Sequence, residues 1–304
     1  MICGIYTGKH PVHEVLFESV CDKTIQFRRE FLPLWVLKQI MYCPKADKYI
    51  TENNFYAPIA RKIRDRHVSI INLLSSPYIL KYSAFFKPFV NYIDKQICLG
   101  NLSKDLFLAI YPNYKNDVNV IYPFVLEEDL KLIKETKKET KQHTSSKKSN
   151  VFIITTIANG DYKIKGLDLL EQAISTLKIP LEVKIVGNTN FIPKDSRIKL
   201  LGKLDKRTLY GIVANSTLYV QSSRLDIFPV SVLEALHLGV PVLVSNMVGC
   251  KEYLYEESVF RTEDVFDLRE KLLANLSCST CHVKKKLPSQ KVELMKFYEM
   301  INHA

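Results

Sequence analysis

Residues 151–187 read VFIITTIANGDYKIKGLDLLEQAISTLKIPLEVKIVG, and the period of their apolar residues changes twice. Val151 to Ile157 is a run of β-branched and aromatic side chains, as in a strand covered on both faces. Leu167, Leu170, Ile174 and Leu177 then recur at spacings of three and four, which puts them on one face of a helix. LEVKIVG returns to a strand. Two strands joined through a helix predict parallel pairing, because parallel neighbours need a crossover connection. The alternation continues downstream: a short strand RIKLLG, a helix around LDKRTLYGIVANS, a strand TLYVQSS, a helix SVLEALHLG and a strand VPVLVS ending at Ser245. The pattern predicts an α/β, Rossmann-like domain with a doubly wound parallel sheet over residues 151–285.

Upstream, the same logic is looser. MICGIYTG reads as a strand and glycine turn, ADKYITE as a strand, FYAPIARKIRDR as a helix, and VSIINLLSS and VNVIYP as further strands. A second Rossmann-like domain is expected over 1–135. Between the two lies KLIKETKKETKQHTSSKKSN, Lys131 to Asn150, a run without aromatics that is too polar to bury. Residues 136–150 are therefore expected to be a polar linker, and 286–304 a C-terminal helix packing back on the first domain. Ligands of such sheets sit beyond the carboxyl ends of the strands, so residues just after strands are the candidates for function.

Composition narrows the classes. The 304 residues are 47% hydrophobic and 25% charged, ordinary for a globular chain. A net charge of +11 favours an anionic partner, and the excess lies early: 23 basic against 15 acidic residues in 1–150, a net of +8. Arg61, Lys62, Arg64 and Arg66 share one short segment there. No nucleic-acid-binding motif accompanies the charge, so a nucleotide or an anionic membrane surface is the expected partner and nucleic acid is not. No signal peptide or membrane span is expected, because Lys9, His10 and His13 interrupt the first apolar stretch and Glu234 and His237 the most apolar later one. A cytoplasmic protein, peripheral on a membrane at most, is the reading, and the 7 scattered cysteines suit a reducing compartment. Cys278-Ser-Thr-Cys281-His282 matches a haem-attachment pattern without the export that covalent haem requires, and one Cys-x-x-Cys makes a poor zinc site. No glycine-rich dinucleotide fingerprint and no P-loop occurs, which disfavours dehydrogenases and P-loop ATPases.

The chemistry concentrates in SSRLDIFPVSVLEALHLGVPVLVSNMVGCKEYL, Ser222 to Leu254. Asp226 ends a strand and Glu234 follows after seven intervening residues, a pair of carboxylates able to grip sugar hydroxyls. A structural alternative stands beside this: Ser231-Val-Leu-Glu234 is a capping box, in which Glu234 would serve only a backbone donor.

The segment resembles the donor-site signature of the retaining, nucleotide-sugar-dependent GT-B glycosyltransferases of family 4, the glycosyl transferases group 1. The matching positions are Asp226, Phe228, Leu233-Glu234-Ala235, Gly239-Val-Pro241-Val242, Gly249 and Glu252. Upstream, Lys165-Gly166, Ile185-Val186-Gly187 and Leu201-Gly202-Lys203 resemble further family elements. The resemblance implies two Rossmann-like domains facing across a cleft, and transfer of a sugar from a nucleotide diphosphate sugar to an acceptor hydroxyl with retention, without metal or other cofactor. It assigns Glu234 to the ribose, Asp226 to the donor sugar, Lys165 to the diphosphate, the backbone of Ile227, Phe228, Pro229 and Val230 to the sugar, and Gly202 and Lys203 to the base. The acceptor, whether lipid-linked, glycan or protein, is not implied.

The chain departs from the family in three places. The usual Arg before Lys-Gly is absent, leaving Asn159 and Lys163 as substitutes, and the first acidic position is Asp226, one methylene shorter than Glu. The family's first-domain His is not evident where VSIINLLSS ends in Ser75 and Ser76, so Gly8, His10 and His13 after the first strand are the acceptor-side candidates. A non-catalytic nucleotide-sugar-binding relative and a GT-B epimerase remain the alternatives.

Overall fold

The computed structural model describes residues 1–6, 10–27, 32–52, 56–75, 82–143, 151–277 and 283–302. They form two compact units, Met1–Pro123 with Pro288–Ala304, and Phe124–Leu287.

The first unit holds a six-stranded parallel sheet in the order β2-β1-β3-β4-β5-β6. Its strands are β1 (Ile2–Tyr6), β2 (Lys23–Gln26), β3 (Lys48–Glu52), β4 (Ser69–Leu74), β5 (Lys95–Leu99) and β6 (Asp117–Ile121). The helices described are α1 (Pro11–Glu18), α2 (Leu32–Tyr42), α3 (Tyr56–Arg64), α4 (Ser83–Phe86) and α5 (Asn101–Ile110). Trp35, Ile70, Leu74, Phe86 and Phe107 fill one apolar core and Cys3, Ile5, Tyr49 and Ala57 another. A polar ladder crosses the middle of the sheet: Thr51 donates to Asn72 (3.1 Å), Asn72 to Gln96 (2.9 Å), and Gln96 to the Asn72 carbonyl (3.1 Å). All three are fully buried, and because each needs the next, the ladder holds the register of β3, β4 and β5.

The second unit begins with α6 (Glu127–His143) and holds a six-stranded parallel sheet in the order β12-β11-β10-β7-β8-β9. Its strands are β7 (Phe152–Ile157), β8 (Leu181–Val186), β9 (Ile198–Gly202), β10 (Leu218–Gln221), β11 (Val242–Ser245) and β12 (Val259–Phe260). The crossovers include α7 (Leu167–Ser175), α8 (Lys206–Ala214) and α9 (Val230–Leu238), and α10 (Val265–Leu276) packs beside α7. Leu167, Leu170 and Ile174 are buried in one core with Ile154, Val183, Val220 and Leu243, on the face their spacing predicts.

The run expected to be a linker is helical through His143, and 144–150 lie outside the described residues. A polar helix needs to bury only a stripe. Here that stripe is Asp129, Ile133 and Thr136, while Arg207 pairs with Glu135 (2.8 Å) and Glu139 (3.1 Å), and Lys137 donates to the His237 carbonyl (3.0 Å). Those partners lie on α8 and α9, so the helix belongs to the second unit and the division falls at Pro123, earlier than position 135.

Helix α11 (Gln290–Asn302) returns to the first unit. Its buried Glu293 accepts from the Tyr122 backbone (2.9 Å) and from Lys296 (2.7 Å). Lys48 and Lys95, at the starts of β3 and β5, donate to the Ile301 and Met300 carbonyls (2.8 Å each), cations placed where a helix C-terminus favours them.

Candidate functional site

In the second sheet the chain runs outward from β7 to β9, then returns to build β10 to β12 on the other side. The switch point lies between β7 and β10, where loops diverge and leave a crevice at the strands' carboxyl ends. The segments that leave those two strands carry Lys165 and Asp226.

Two glycines let these segments meet. Gly166 has φ +64°, and a Cβ there would stand 2.0 Å from the Ser222 carbonyl oxygen. At Gly249 a Cβ would stand 1.8 Å from the Ile227 carbonyl oxygen. Backbone bonds complete the contact: Asp226 N–H donates to the Met247 carbonyl and Gly249 N–H to the Asp226 carbonyl, both at 3.0 Å. Any side chain at Gly166 or Gly249 forces the backbone apart.

Lys165 Nζ donates to Asp226 Oδ2 at 2.7 Å, with their side chains 24% and 18% exposed. Asp226 Oδ2 also receives Gln221 Nε2 at 3.4 Å, and Ser222 Oγ donates to the Lys165 carbonyl at 3.1 Å. A partly buried ammonium and carboxylate therefore share one spot, still open to water. Ile227 and Phe228 are buried, Phe228 lying edge-on to Tyr253, so only their backbones could meet a ligand. Pro229 is the N-cap and Val230 the first residue of α9, and no side chain caps this helix start.

The helix start decides the capping-box question. With Pro229 at the N-cap, Ser231 lies inside the helix, and its hydroxyl accepts from Tyr219 OH at 2.9 Å. Glu234 Oε1 instead accepts from Tyr210 OH of α8 at 2.7 Å. Burial pushes the Glu234 carboxyl above the ordinary glutamate range; the Tyr210 bond and the nearby Lys206 oppose the shift, and Asp129 adds to it. Lys206 in turn pairs with Asp129 of α6. Asp129, Lys206 and Tyr210 had no signal in the sequence, since nothing in their spacing ties α6 and α8 to Glu234.

The remaining candidates separate. Asn159 Oδ1 accepts the Asn188 N–H at 2.9 Å, so its side chain already holds the loop after β8. Lys163 and Lys203 are exposed, and Gly202 takes φ +66° at the end of β9. Arg224, next to this site and unremarked in the sequence, does not replace the missing family Arg. Its guanidinium forks onto Asp168 (2.7 and 3.0 Å) and reaches Glu263, joining the loops after β10 and β12 to α7. Although burial opposes it, the Arg224 hydrogen bond holds the Asp168 carboxyl below its ordinary range. Among the described residues no group of three His, Cys, Asp or Glu could hold a metal ion.

In the first unit, His13 lies in α1 and is buried, with Nδ1 2.8 Å from Glu52 Oε1. His10 is exposed and its ring stacks on His13 with centroids 4.4 Å apart. Gly8 and Ser76 lie outside the described residues, as do Cys278, Cys281 and His282. No described helix is long and apolar enough to cross a membrane.

Comparison with known proteins bears on the fold. Residues 151–277 match the family model of Glycosyl transferases group 1. No curated protein matches the chain in sequence. Among solved structures, sucrose-phosphate synthase from Thermosynechococcus elongatus is similar with a TM-score of 0.71 at 13% identity, over 99% of this chain and 98% of that one. Anabaena HepE in complex with UDP-glucose gives 0.65 at 14% identity, over 99% and 98%. WaaG, a glycosyltransferase involved in lipopolysaccharide biosynthesis, gives 0.62 at 13% identity, over 100% and 94%. Residues 151–277 are thus similar to the glycosyl transferases group 1 model, and the two parallel sheets have the GT-B fold.

Proposed function

We propose that the protein transfers a sugar from a nucleotide diphosphate sugar to an acceptor hydroxyl, with retention and without a metal. The observation that carries this reading is the Lys165–Asp226 pair at the switch point between β7 and β10, 2.7 Å apart across 61 positions of sequence. A departing diphosphate gains negative charge, which a fixed ammonium and an uncapped helix start can stabilise. Donor phosphate draws Lys165 from Asp226, and the carboxylate so released accepts from a sugar hydroxyl. Glu234 takes the ribose hydroxyls, Gly202 and Lys203 border the base, and Lys163 stands where the family's Arg would. The leaving phosphate accepts the acceptor's proton on the face it leaves, so no carboxylate nucleophile is needed.

Anabaena HepE is solved with UDP and with UDP-glucose, which puts uridine diphosphate sugars first in a donor screen. A ligand at 100 times its dissociation constant adds about 2.7 kcal/mol of stability, well within reach of thermal melts. Melts unmoved by every nucleotide sugar would refute the reading. Release of nucleoside diphosphate only when acceptor is present separates transfer from epimerisation, and nucleotide-sugar binding without release identifies a non-catalytic relative.

A peripheral position on a cytoplasmic, anionic membrane is the second part of the proposal. Leu34, Leu37 and Met41 recur along α2 with 48%, 51% and 60% of their surfaces exposed. Arg64 and Arg66 are exposed too, at and beyond the end of α3. Arg61 and Lys62 are engaged within the unit, with the Cys43 carbonyl and Asp94, so the free charge of this segment is smaller than its sequence suggests.

A further inference from the structure

The two oxygens of Glu234 are not alike. Oε1 accepts from Tyr210 OH at 2.7 Å, while Oε2 has no hydrogen-bond partner among the described residues. Glu234 is partly exposed, so the unpaired oxygen is free to meet a ligand. Tyr210 lies on α8, the helix that follows Gly202 and Lys203, and only 1% of it is exposed, so its phenol meets no ligand itself. That phenol faces two carboxylates, Glu234 of α9 and Asp129 of α6, with one proton to donate. Lys206, one turn earlier in α8, pairs with Asp129, so Asp129 already has a cation and Glu234 receives the phenol's hydrogen bond.

Tyrosines that serve packing alone in this chain give their hydroxyls to backbone carbonyls, as Tyr49 does to Pro44 and Tyr114 to Ile93. The Tyr210 hydroxyl holds a carboxylate instead. A glutamate side chain turns about three torsions, and a charge-assisted bond at one oxygen fixes where the other points. A carboxylate free to sample other rotamers is competent only part of the time, and apparent affinity falls by that fraction. The same bond, with Lys206, favours the charged form of Glu234 against burial and Asp129. Two further titratable groups stand nearby: buried Tyr219 of β10 feels the Glu234 charge, and His237, one turn on in α9, has Lys134 and Lys137 of α6 as its charged neighbours.

We propose that Tyr210 is a positioning residue for nucleotide recognition: its hydroxyl turns the Glu234 carboxylate so that Oε2 meets the ribose hydroxyls, and the Lys206–Asp129 pair keeps the phenol directed at Glu234. The inference rests on the ribose reading of Glu234 above and adds to it the three residues that prepare the carboxylate before the ligand arrives. A nucleotide without ribose hydroxyls makes no use of this preparation.

The test is calorimetric titration of the full chain, wild type and Tyr210→Phe, with UDP and with its 2′,3′-dideoxy counterpart, which lacks both ribose hydroxyls, across a series of pH values. UDP should bind the variant about three- to tenfold more weakly, because the carboxylate is no longer held in one rotamer, and the dideoxy compound should bind both proteins equally. The pH below which UDP affinity falls should rise by about one unit in the variant, because the charged carboxylate has lost a hydrogen bond. A merely structural phenol would change the two affinities together and leave the pH step in place. Equal losses for both compounds overturn the proposal, as does a folded variant with wild-type UDP affinity and an unmoved pH step. If Tyr210→Phe does not fold, Asp129→Asn decides: it removes the carboxylate that competes for the phenol, so the step should move down, and a step that stays or rises overturns the proposal. A wild-type preference for UDP that the variant keeps in full sinks this inference and leaves the donor site standing. A wild type that binds both compounds alike, or neither, fails the ribose reading itself and this inference with it.

Discussion

Replacing Glu234 by glutamine separates a ligand contact from a structural one at a single side chain. Glu234 Oε1 accepts from Tyr210 OH at 2.7 Å, and a glutamine carbonyl oxygen can accept the same bond. Burial already disfavours the charge, so the neutral amide also removes a cost. The fold should therefore change by less than about 1 kcal/mol, or no more than about 4 °C in melting temperature. Nucleotide binding behaves differently. Hydrogen bonds to a charged group contribute about 1.5–3 kcal/mol each against roughly 0.5–1.5 for neutral ones. For two ribose hydroxyls the deficit is about 2–3 kcal/mol, or roughly 30- to 150-fold in dissociation constant. Calorimetric titration with UDP and thermal melts of the apo protein measure the two quantities side by side.

The sign of the pH dependence follows from the raised carboxyl. On the proposed ribose assignment nucleotide binding uses the carboxylate, so wild-type affinity should fall as pH drops through the raised Glu234 pKa, and the glutamine variant should lack that step. Stability moves the other way. The protonated form fits the buried site better, so the wild type loses stability as pH rises from the ordinary glutamate pKa through the raised one, and the variant does not. Unchanged UDP affinity together with a lowered melting temperature would refute the ribose assignment and return Glu234 to a purely structural role with Tyr210.

Lys165→Ala should slow transfer by roughly 10²- to 10³-fold while chelator leaves the wild type untouched; full turnover in the variant, or wild-type activity lost in chelator, would contradict the metal-free reading. Gly249→Ala puts a Cβ 1.8 Å from the Ile227 carbonyl oxygen, so it should lose about 2–4 kcal/mol of stability with UDP binding, read by denaturant titration. A variant as stable as the wild type would show that this backbone contact yields freely. Arg64→Glu with Arg66→Glu should abolish sedimentation with anionic vesicles at low salt, since each basic side chain contributes about 1 kcal/mol near such a surface, and should leave UDP affinity unchanged. Equal sedimentation of both proteins, or equal binding to neutral vesicles, would count against the membrane face.

The second unit was legible because its strands are rich in β-branched and other apolar residues and α7 carries a clean period at Leu167, Leu170 and Ile174. The first was less so. Strand β5 reads KQICL, and Gln96 looks like a surface residue until the ladder with Asn72 and Thr51 gives it partners in the core. Helix α6 hid in a lysine-rich run because its partners, Arg207 and the His237 carbonyl, are distant in sequence. The same limit applies to the sites. Lys165, Gly166, Asp226 and Gly249 stand out as residue types after strands, but their pairing depends on which strands become neighbours. The burial of His13 had no signal in the sequence because its partner Glu52 is 39 positions away, and the Ser231–Glu234 spacing suggested a cap that the helix start at Val230 rules out.

The first unit is discontinuous in sequence, and the ribosome delivers its two pieces far apart in time. Its sheet is complete by residue 123, but Lys48, Lys95 and the Tyr122 amide find their partners only on the segment that begins at Pro288. At about 5–20 residues per second, the intervening chain takes roughly 10–30 s to emerge. The second unit, contiguous from Phe124 to Leu287, can close during that interval. Synthesis order and completion order are therefore inverted: a nascent chain that has emerged through Leu287 holds a finished second unit and a first sheet still missing its closing helix.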